Sequence, residues 1–179
     1  MRIVVIRLRV NELWLLSGRL DRSVPVVTAL GPVTNSMSAK TGGEFVDANI
    51  LVYAFDASAG AKRARSEQLL ERLWYAGTGC MSVQVLQEFF VTVTRKVAQP
   101  LSIDEASERL REFASLNTFA PTAQDVLAAV ALHKQTQLSF WDAMVVYAAS
   151  ELGCEVLWTE DLNDGQLLRG VRIRNPLIH

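Results

Sequence analysis

From Glu44 onward, short apolar runs alternate with helix-patterned segments, and this alternation limits the folds open to the chain more than any other feature. Phe45-Val46 leads a first strand. A helix follows from about Lys62 to Trp74, with Leu69, Leu70, Leu73 and Trp74 on one face, until Gly77 and Gly79 break it. Cys80-Met81 is predicted as a short strand, and Val83 to Lys96 as a helix that stops before Pro100. Two capping boxes, Ser102-Ile-Asp-Glu105 and Thr122-Ala-Gln-Asp125, open helices running to about Ser115 and about Gln135. Leu116 to Ala120 between them can be a strand. Ser139 to Leu152 is helical and closes at Gly153, Glu155 to Trp158 is a strand, and Val171 to Arg174 is the last. Strands alternating with helices imply parallel βαβ units and a helix–sheet–helix sandwich, in which ligands gather at the carboxyl ends of the strands.

Length fits this class, since 179 residues allow one well-filled core and little more. The formal net charge of −1 does not advertise a nucleic-acid binder, although clustered acids would lower the total while basic residues gather elsewhere. Two separated cysteines, Cys80 and Cys154, read as buried thiols in a reducing compartment, and with two histidines a structural zinc site is not expected. Residues 1–43 differ from the rest. They lack a sustained helical period and are expected to be a poorly ordered extension or, up to residue 36, a start-site artefact, with the folded domain spanning 44–179. Arg7, Arg9 and Glu12 interrupt the only signal-like run, and the longest uncharged stretch contains Pro25 and Pro32. A cytoplasmic protein with no membrane span is the expectation.

Four acids stand in apolar company. Asp47 follows the first strand, where an ionised carboxylate is costly unless compensated, and an N-cap for the segment from Asn49 is the competing explanation. Glu88 lies in mid-helix and would be an ordinary solvated glutamate on local pattern alone. Asp142 would be the third residue of a helix capped by Ser139, so a capping role competes there too. Asp161 comes just after a strand in the crowded loop Glu160-Asp161-Leu-Asn-Asp164-Gly165, where Asp164-Gly165 suits a turn. A parallel sheet could bring these acids to one edge. Two carboxylates about 4 Å apart repel by roughly 4 kcal/mol at an effective dielectric of 20, so several in one cleft share protons or hold a cation. Oxygen ligands alone favour Mg²⁺ or Mn²⁺, and such a site suits phosphodiester hydrolysis.

The same residues resemble the PIN-domain family, in particular the VapC-type toxins of toxin–antitoxin pairs. The likeness runs from Phe45 to Pro176 and rests on Phe-Val-Asp47-Ala-Asn49-Ile-Leu-Val, Ser82-Val-Gln-Val-Leu-Gln-Glu88-Phe, Ser139-Phe-Trp-Asp142-Ala and Trp-Thr159-Glu-Asp161-Leu-Asn-Asp164-Gly. The resemblance implies a three-layer α/β/α sandwich around a small parallel sheet, and a Mg²⁺- or Mn²⁺-dependent endoribonuclease. Asp47 and Asp142 would be the principal metal ligands. Glu88 would bind metal or position water, Asp161 would complete the catalytic set with Asp164 as alternate, and Asn49 with Thr159 or Ser139 would hold the ligands in place. It further implies an RNA substrate, a small antitoxin and a homodimer. Lys62, Arg63, Arg65, Arg95 and Lys96 are candidate phosphate contacts. A housekeeping RNA nuclease and a non-catalytic interaction domain remain as alternatives. A phosphotransfer enzyme with a nucleophilic aspartate would want an acid at position 49, which is Asn.

Overall fold

The computed structural model describes residues 42–178, so the expected extension over residues 1–41 lies outside the described residues. Within them, β1 (Gly43–Val46) is followed by α1 (Ala48–Phe55) and α2 (Ala61–Ala76). β2 (Gly79–Ser82), α3 (Val83–Arg95), α4 (Ile103–Phe113) and β3 (Asn117–Phe119) come next. α5 (Ala123–Thr136), α6 (Phe140–Glu151), β4 (Cys154–Trp158), β5 (Leu167–Leu168) and β6 (Val171–Arg174) complete the order. The strands form one sheet in the order β3-β2-β1-β4-β6-β5, parallel throughout except for β5 against β6.

This is the expected α/β architecture, with β1 at its centre. Strand order runs outward through β2 and β3, then returns to the other side of β1 at β4. Right-handed crossovers therefore place α1–α4 on one face of the sheet and α5–α6 on the other, giving three layers. Both predicted capping boxes are closed, at Ser102/Glu105 and Thr122/Asp125, and Gly153 takes φ +67° where α6 was expected to end. Two elements escaped the sequence pattern. α1 is apolar almost all round (Ala-Asn-Ile-Leu-Val-Tyr-Ala-Phe), so it shows no amphipathic period, and the structure buries Ile50 and Leu51 completely. β5 is two residues long, too short for any alternation to register. No described helix is long and apolar enough to cross a membrane.

Packing joins the layers at a few named points. Phe55, Phe89 and Phe113 meet edge to face with ring centroids 5.2–6.0 Å apart, locking α1, α3 and α4 together. Glu44 on β1 accepts both guanidinium nitrogens of Arg72 from α2, at 2.7 and 2.8 Å, and the indole N–H of Trp158 from β4 at 2.8 Å. The Arg72 hydrogen bonds hold the Glu44 carboxyl below its usual range. At the amino end of the sheet the two thiols approach each other over Gly43. A Cβ on Gly43 would stand 3.0 Å from Cys80 Sγ and 3.2 Å from Cys154 Sγ. Both cysteines are free and buried.

Gly43→Ala therefore overpacks the central strand. It is expected to destabilise the fold by about 1–3 kcal/mol in denaturant unfolding, with much of the loss recovered when Cys80→Ala and Cys154→Ala are added together. Equal effects of Gly43→Ala with and without the two cysteine substitutions would show that the thiols are not what the methyl meets.

Candidate active site

Register between β1 and β4 builds the centre of the site. Val46 pairs with Trp158, so the next residue of each strand, Asp47 and Thr159, emerge side by side at the carboxyl end of the sheet. The Asp47 N–H donates to the Trp158 carbonyl at 3.0 Å, and the Thr159 hydroxyl donates to Asp47 Oδ2 at 2.7 Å. Asp47 Oδ1 accepts from the Ala48 N–H at 2.7 Å, making Asp47 the N-cap of α1. The capping and site explanations of Asp47 thus describe one geometry. Burial raises its pKa to about 6, against the opposing pull of the Thr159 and Ala48 hydrogen bonds, and the charges of Asp161 and Glu88 push it the same way as burial.

Thr159 is wholly buried and organises the rest. Its oxygen accepts from Asn49 Nδ2 at 3.1 Å and from the Asp161 N–H at 3.1 Å, while Asn49 Nδ2 also donates to Asp161 Oδ2 at 2.8 Å. These bonds fix the orientation of the Asn49 amide, and its Oδ1 is left as a buried acceptor with no donor. Of the three residues named for holding the acids, Thr159 and Asn49 bond their carboxylates directly. Ser139 is the N-cap of α6 and accepts from the Asp142 N–H at 3.1 Å.

Asp142 differs from its counterparts in the other capped helices. Glu105 and Asp125 turn back to bond their N-cap residues, whereas the Asp142 carboxylate makes no such bond and lines the groove instead. Glu88 projects from α3 beside Gln84, whose Nε2 donates to Glu88 Oε1 at 2.8 Å. Asp164 is engaged elsewhere. It accepts from the Asn175 N–H at 2.8 Å and stands 3.7 Å from Arg174 Nε, tying down the segment after β6.

Two adjoining depressions share Glu88, Asp161, Thr92 and Lys96. One, of about 530 Å³, adds Asp142 and Trp141, and the other, of about 360 Å³, adds Asp47, Asn49 and Tyr53. The four predicted acids therefore lie along one continuous groove, with Lys96 bordering both halves. Sequence reasoning missed Gln84, although its spacing of four residues from Glu88 on one helix was the available signal. It also missed the brace beside the site, where Lys62 Nζ meets Glu160 Oε2 at 2.6 Å and the Tyr53 hydroxyl at 3.2 Å, and Tyr53 bonds Glu160. Lys62, Arg63 and Arg65 were candidate phosphate contacts. Lys62 is paired in this brace, Arg63 bonds Glu67 at 2.8 Å, and Arg65 bonds the Leu177 carbonyl.

Among the described residues no three histidines, cysteines or carboxylates close into a ready-made cage. The donors available in the groove are all oxygens, and the Asn49 amide oxygen is among them without a partner. This set fits a hard divalent cation that takes one or two carboxylates and keeps several waters.

Comparison with known proteins agrees with the fold. A match to the PIN domain covers residues 45–164, two thirds of the chain and a span that contains all four acids. No curated protein matches. Among solved structures, a toxin–antitoxin complex from Klebsiella pneumoniae is 21% identical with a TM-score of 0.56, over 75% of this chain and 98% of that one. VapBC2 from Rickettsia felis, bound to a DNA fragment from its promoter, is 18% identical with a TM-score of 0.53, over 74% and 97%. FitAB bound to a DNA fragment is 14% identical with a TM-score of 0.54, over 74% and 94%. With its central parallel sheet, its acids strung along the carboxyl edge and a family match over two thirds of its length, this chain belongs to the PIN domain family.

Proposed function

We propose that this chain is a Mg²⁺- or Mn²⁺-dependent endoribonuclease of the VapC type, the toxin of a toxin–antitoxin pair. The observation that carries the reading is Asp47, a carboxylate stripped of water at the point where the strand order reverses. It is aimed by Thr159 into a groove it shares with Asp161 and Glu88. Such a charge, facing two further acids, is relieved most directly by a cation.

In this reading Asp47 and Asp142 hold the ion, Glu88 binds it or positions the attacking water, and Asp161 completes the set. When bound, the ion supplies Lewis acidity at the phosphodiester and a more acidic attacking water. Thr159 and Asn49 keep Asp47 and Asp161 oriented as substrate enters, and Gln84 does the same for Glu88. Lys96 offers a phosphate contact at the junction of the two depressions. An antitoxin covering the groove and a homodimer belong to the same reading. The toxin role is preferred to a housekeeping one because solved structures of this fold include complexes with an antitoxin. A cytoplasmic setting follows from an RNA substrate.

On a mixed RNA pool with Mg²⁺ or Mn²⁺, Asp47→Asn and Asp142→Asn are expected to lose cleavage to the level seen with EDTA. Thr159→Val, which removes only an orienting hydroxyl, is expected to cost about 10–100-fold. Cleavage that survives in both aspartate variants would sink the proposal.

The raised pKa of Asp47 gives a second test in the metal-free protein. The folded state holds this proton more tightly than the unfolded chain, whose carboxyl titrates near 3.8. The contribution of Asp47 to stability is therefore fully present below that pH and is lost as pH rises through about 6. By neutral pH the cost approaches about 3 kcal/mol. In EDTA, Asp47→Asn should melt above the wild type at pH 7.5, with the gap closing towards pH 4. Adding Mn²⁺ should then raise the melting temperature of the wild type and not of the variant. A wild type whose melting temperature ignores Mn²⁺ would count against the metal site.

A further inference from the structure

Trp141 is the anomaly of the groove. It occupies the first turn of α6, immediately before Asp142, and leaves 60% of its surface in water. A large ring exposed in this way forgoes most of the stabilisation that its burial would give. Nothing in the packing requires it there, because α6 buries its length through the run from Ala143 to Ala149. Its chain neighbour Phe140 meets it edge to face with ring centroids 5.1 Å apart, and at 60% exposure the indole has surface left for another flat group. Its surroundings are mixed, for it lines the 530 Å³ depression together with Glu88, Asp142, Asp161 and Lys96 as well as the exposed Val91. A core role fits these neighbours poorly. A flat, polar-edged group attached to an anion fits them well.

We propose that Trp141 is the base-stacking platform of the site. It holds an unpaired nucleobase of an RNA strand whose phosphate lies between Lys96 and the acids. The inference rests on the nuclease reading and adds a substrate-holding residue to it. A base inside a duplex has both faces covered by its neighbours, so only an unpaired nucleotide, in a single strand or a loop, can offer a face to the indole. The depression, open to solvent, has room for one nucleotide. Stacking tolerates every base, so Trp141 would select strand state more than sequence, while Lys96 contributes through charge.

The test measures binding apart from cleavage. Full-length wild-type protein, with Ca²⁺ in place of Mg²⁺ to keep a cation in the groove while slowing cleavage, is titrated into a fluorescein-labelled single-stranded RNA 12-mer and followed by anisotropy. The same protein carrying Trp141→Ala or Trp141→Phe is compared, with melting temperatures recorded for all three. The expected result is about 5- to 100-fold weaker binding in Trp141→Ala, most of it restored in Trp141→Phe, and poor competition by the same sequence as a duplex. Quenching of tryptophan fluorescence by RNA in the parent, reduced in Trp141→Phe, would locate the contact. Unchanged affinity in Trp141→Ala overturns the stacking role alone and leaves the ring as a protein-docking surface. Duplex RNA binding as tightly as the single strand overturns the selection for an unpaired nucleotide. A parent that binds no RNA overturns this inference together with the nuclease reading.

Discussion

The Thr159 hydroxyl has one hydrogen to give, and it gives it to the buried carboxylate of Asp47. That leaves its oxygen to accept from Asn49 and from the Asp161 backbone, so a single side chain just past β4 orients two other side chains and the start of the Asp161 loop. The arrangement depends on parallel pairing in a fixed register. Sliding β4 by one residue against β1 would send Thr159 to the opposite face and leave Asp47 desolvated with one bond fewer. Register is in turn secured from the other end of the strands, where Glu44 ties Arg72 and Trp158 together and where Gly43 alone lets two thiols close over β1. Chemistry at the carboxyl edge and packing at the amino edge are thus parts of one constraint.

Aspartates at helix starts carry an ambiguity that sequence cannot remove. Ser/Thr-x-x-acid occurs at Ser102, Thr122 and Ser139, and all three hydroxyls do cap their helices. The first two acids close the box. Asp142 does not, and that difference is a choice of side-chain torsion with no local sequence signal. Asp47 resolves the other way, since it caps α1 and faces the groove at once, one oxygen serving each neighbour. The capping and site explanations were never exclusive there. Asp161 and Asp164 stood three residues apart in one loop, and only tertiary pairing separates them. Asp161 turns to Asn49, and Asp164 to the segment after β6.

Most of the fold was legible because its punctuation is local. Capping boxes, Gly153 and the breaks at Gly77 and Gly79 are read within a few residues of where they act. What escaped has a common cause. α1 buries nearly all its faces and so has no period, β5 has two residues, and the brace of Tyr53, Lys62 and Glu160 joins positions about a hundred residues apart. The cysteine pair belongs with these. Cys80 and Cys154 read as two unrelated buried thiols, and their meeting depends on β2 and β4 flanking a glycine in β1. Their contact splits their acidities. The hydrogen bond from Cys154 brings Cys80 down to about 7, and the same bond with burial pushes Cys154 up.

Net charge proved the least informative quantity, for a structural reason. A total of −1 looks unsuited to RNA, yet many of the described cations are consumed by the fold itself. Lys62 pairs with Glu160, Arg63 with Glu67, Arg72 with Glu44, Arg109 with Glu112 and Arg169 with Glu151. Such pairs cancel at short range and contribute little field beyond about a Debye length. What a polyanion meets at the groove is the remainder. A divalent cation would offset two of the four carboxylate charges there, and Arg95 and Lys96, at the end of α3, have no acidic partner among the described residues. With an ion bound, the local charge would therefore fall close to zero while the total rises by only two. A carboxylate-rich groove can then receive a phosphate, which is why local pairing and not the sum of charges decides what this surface binds.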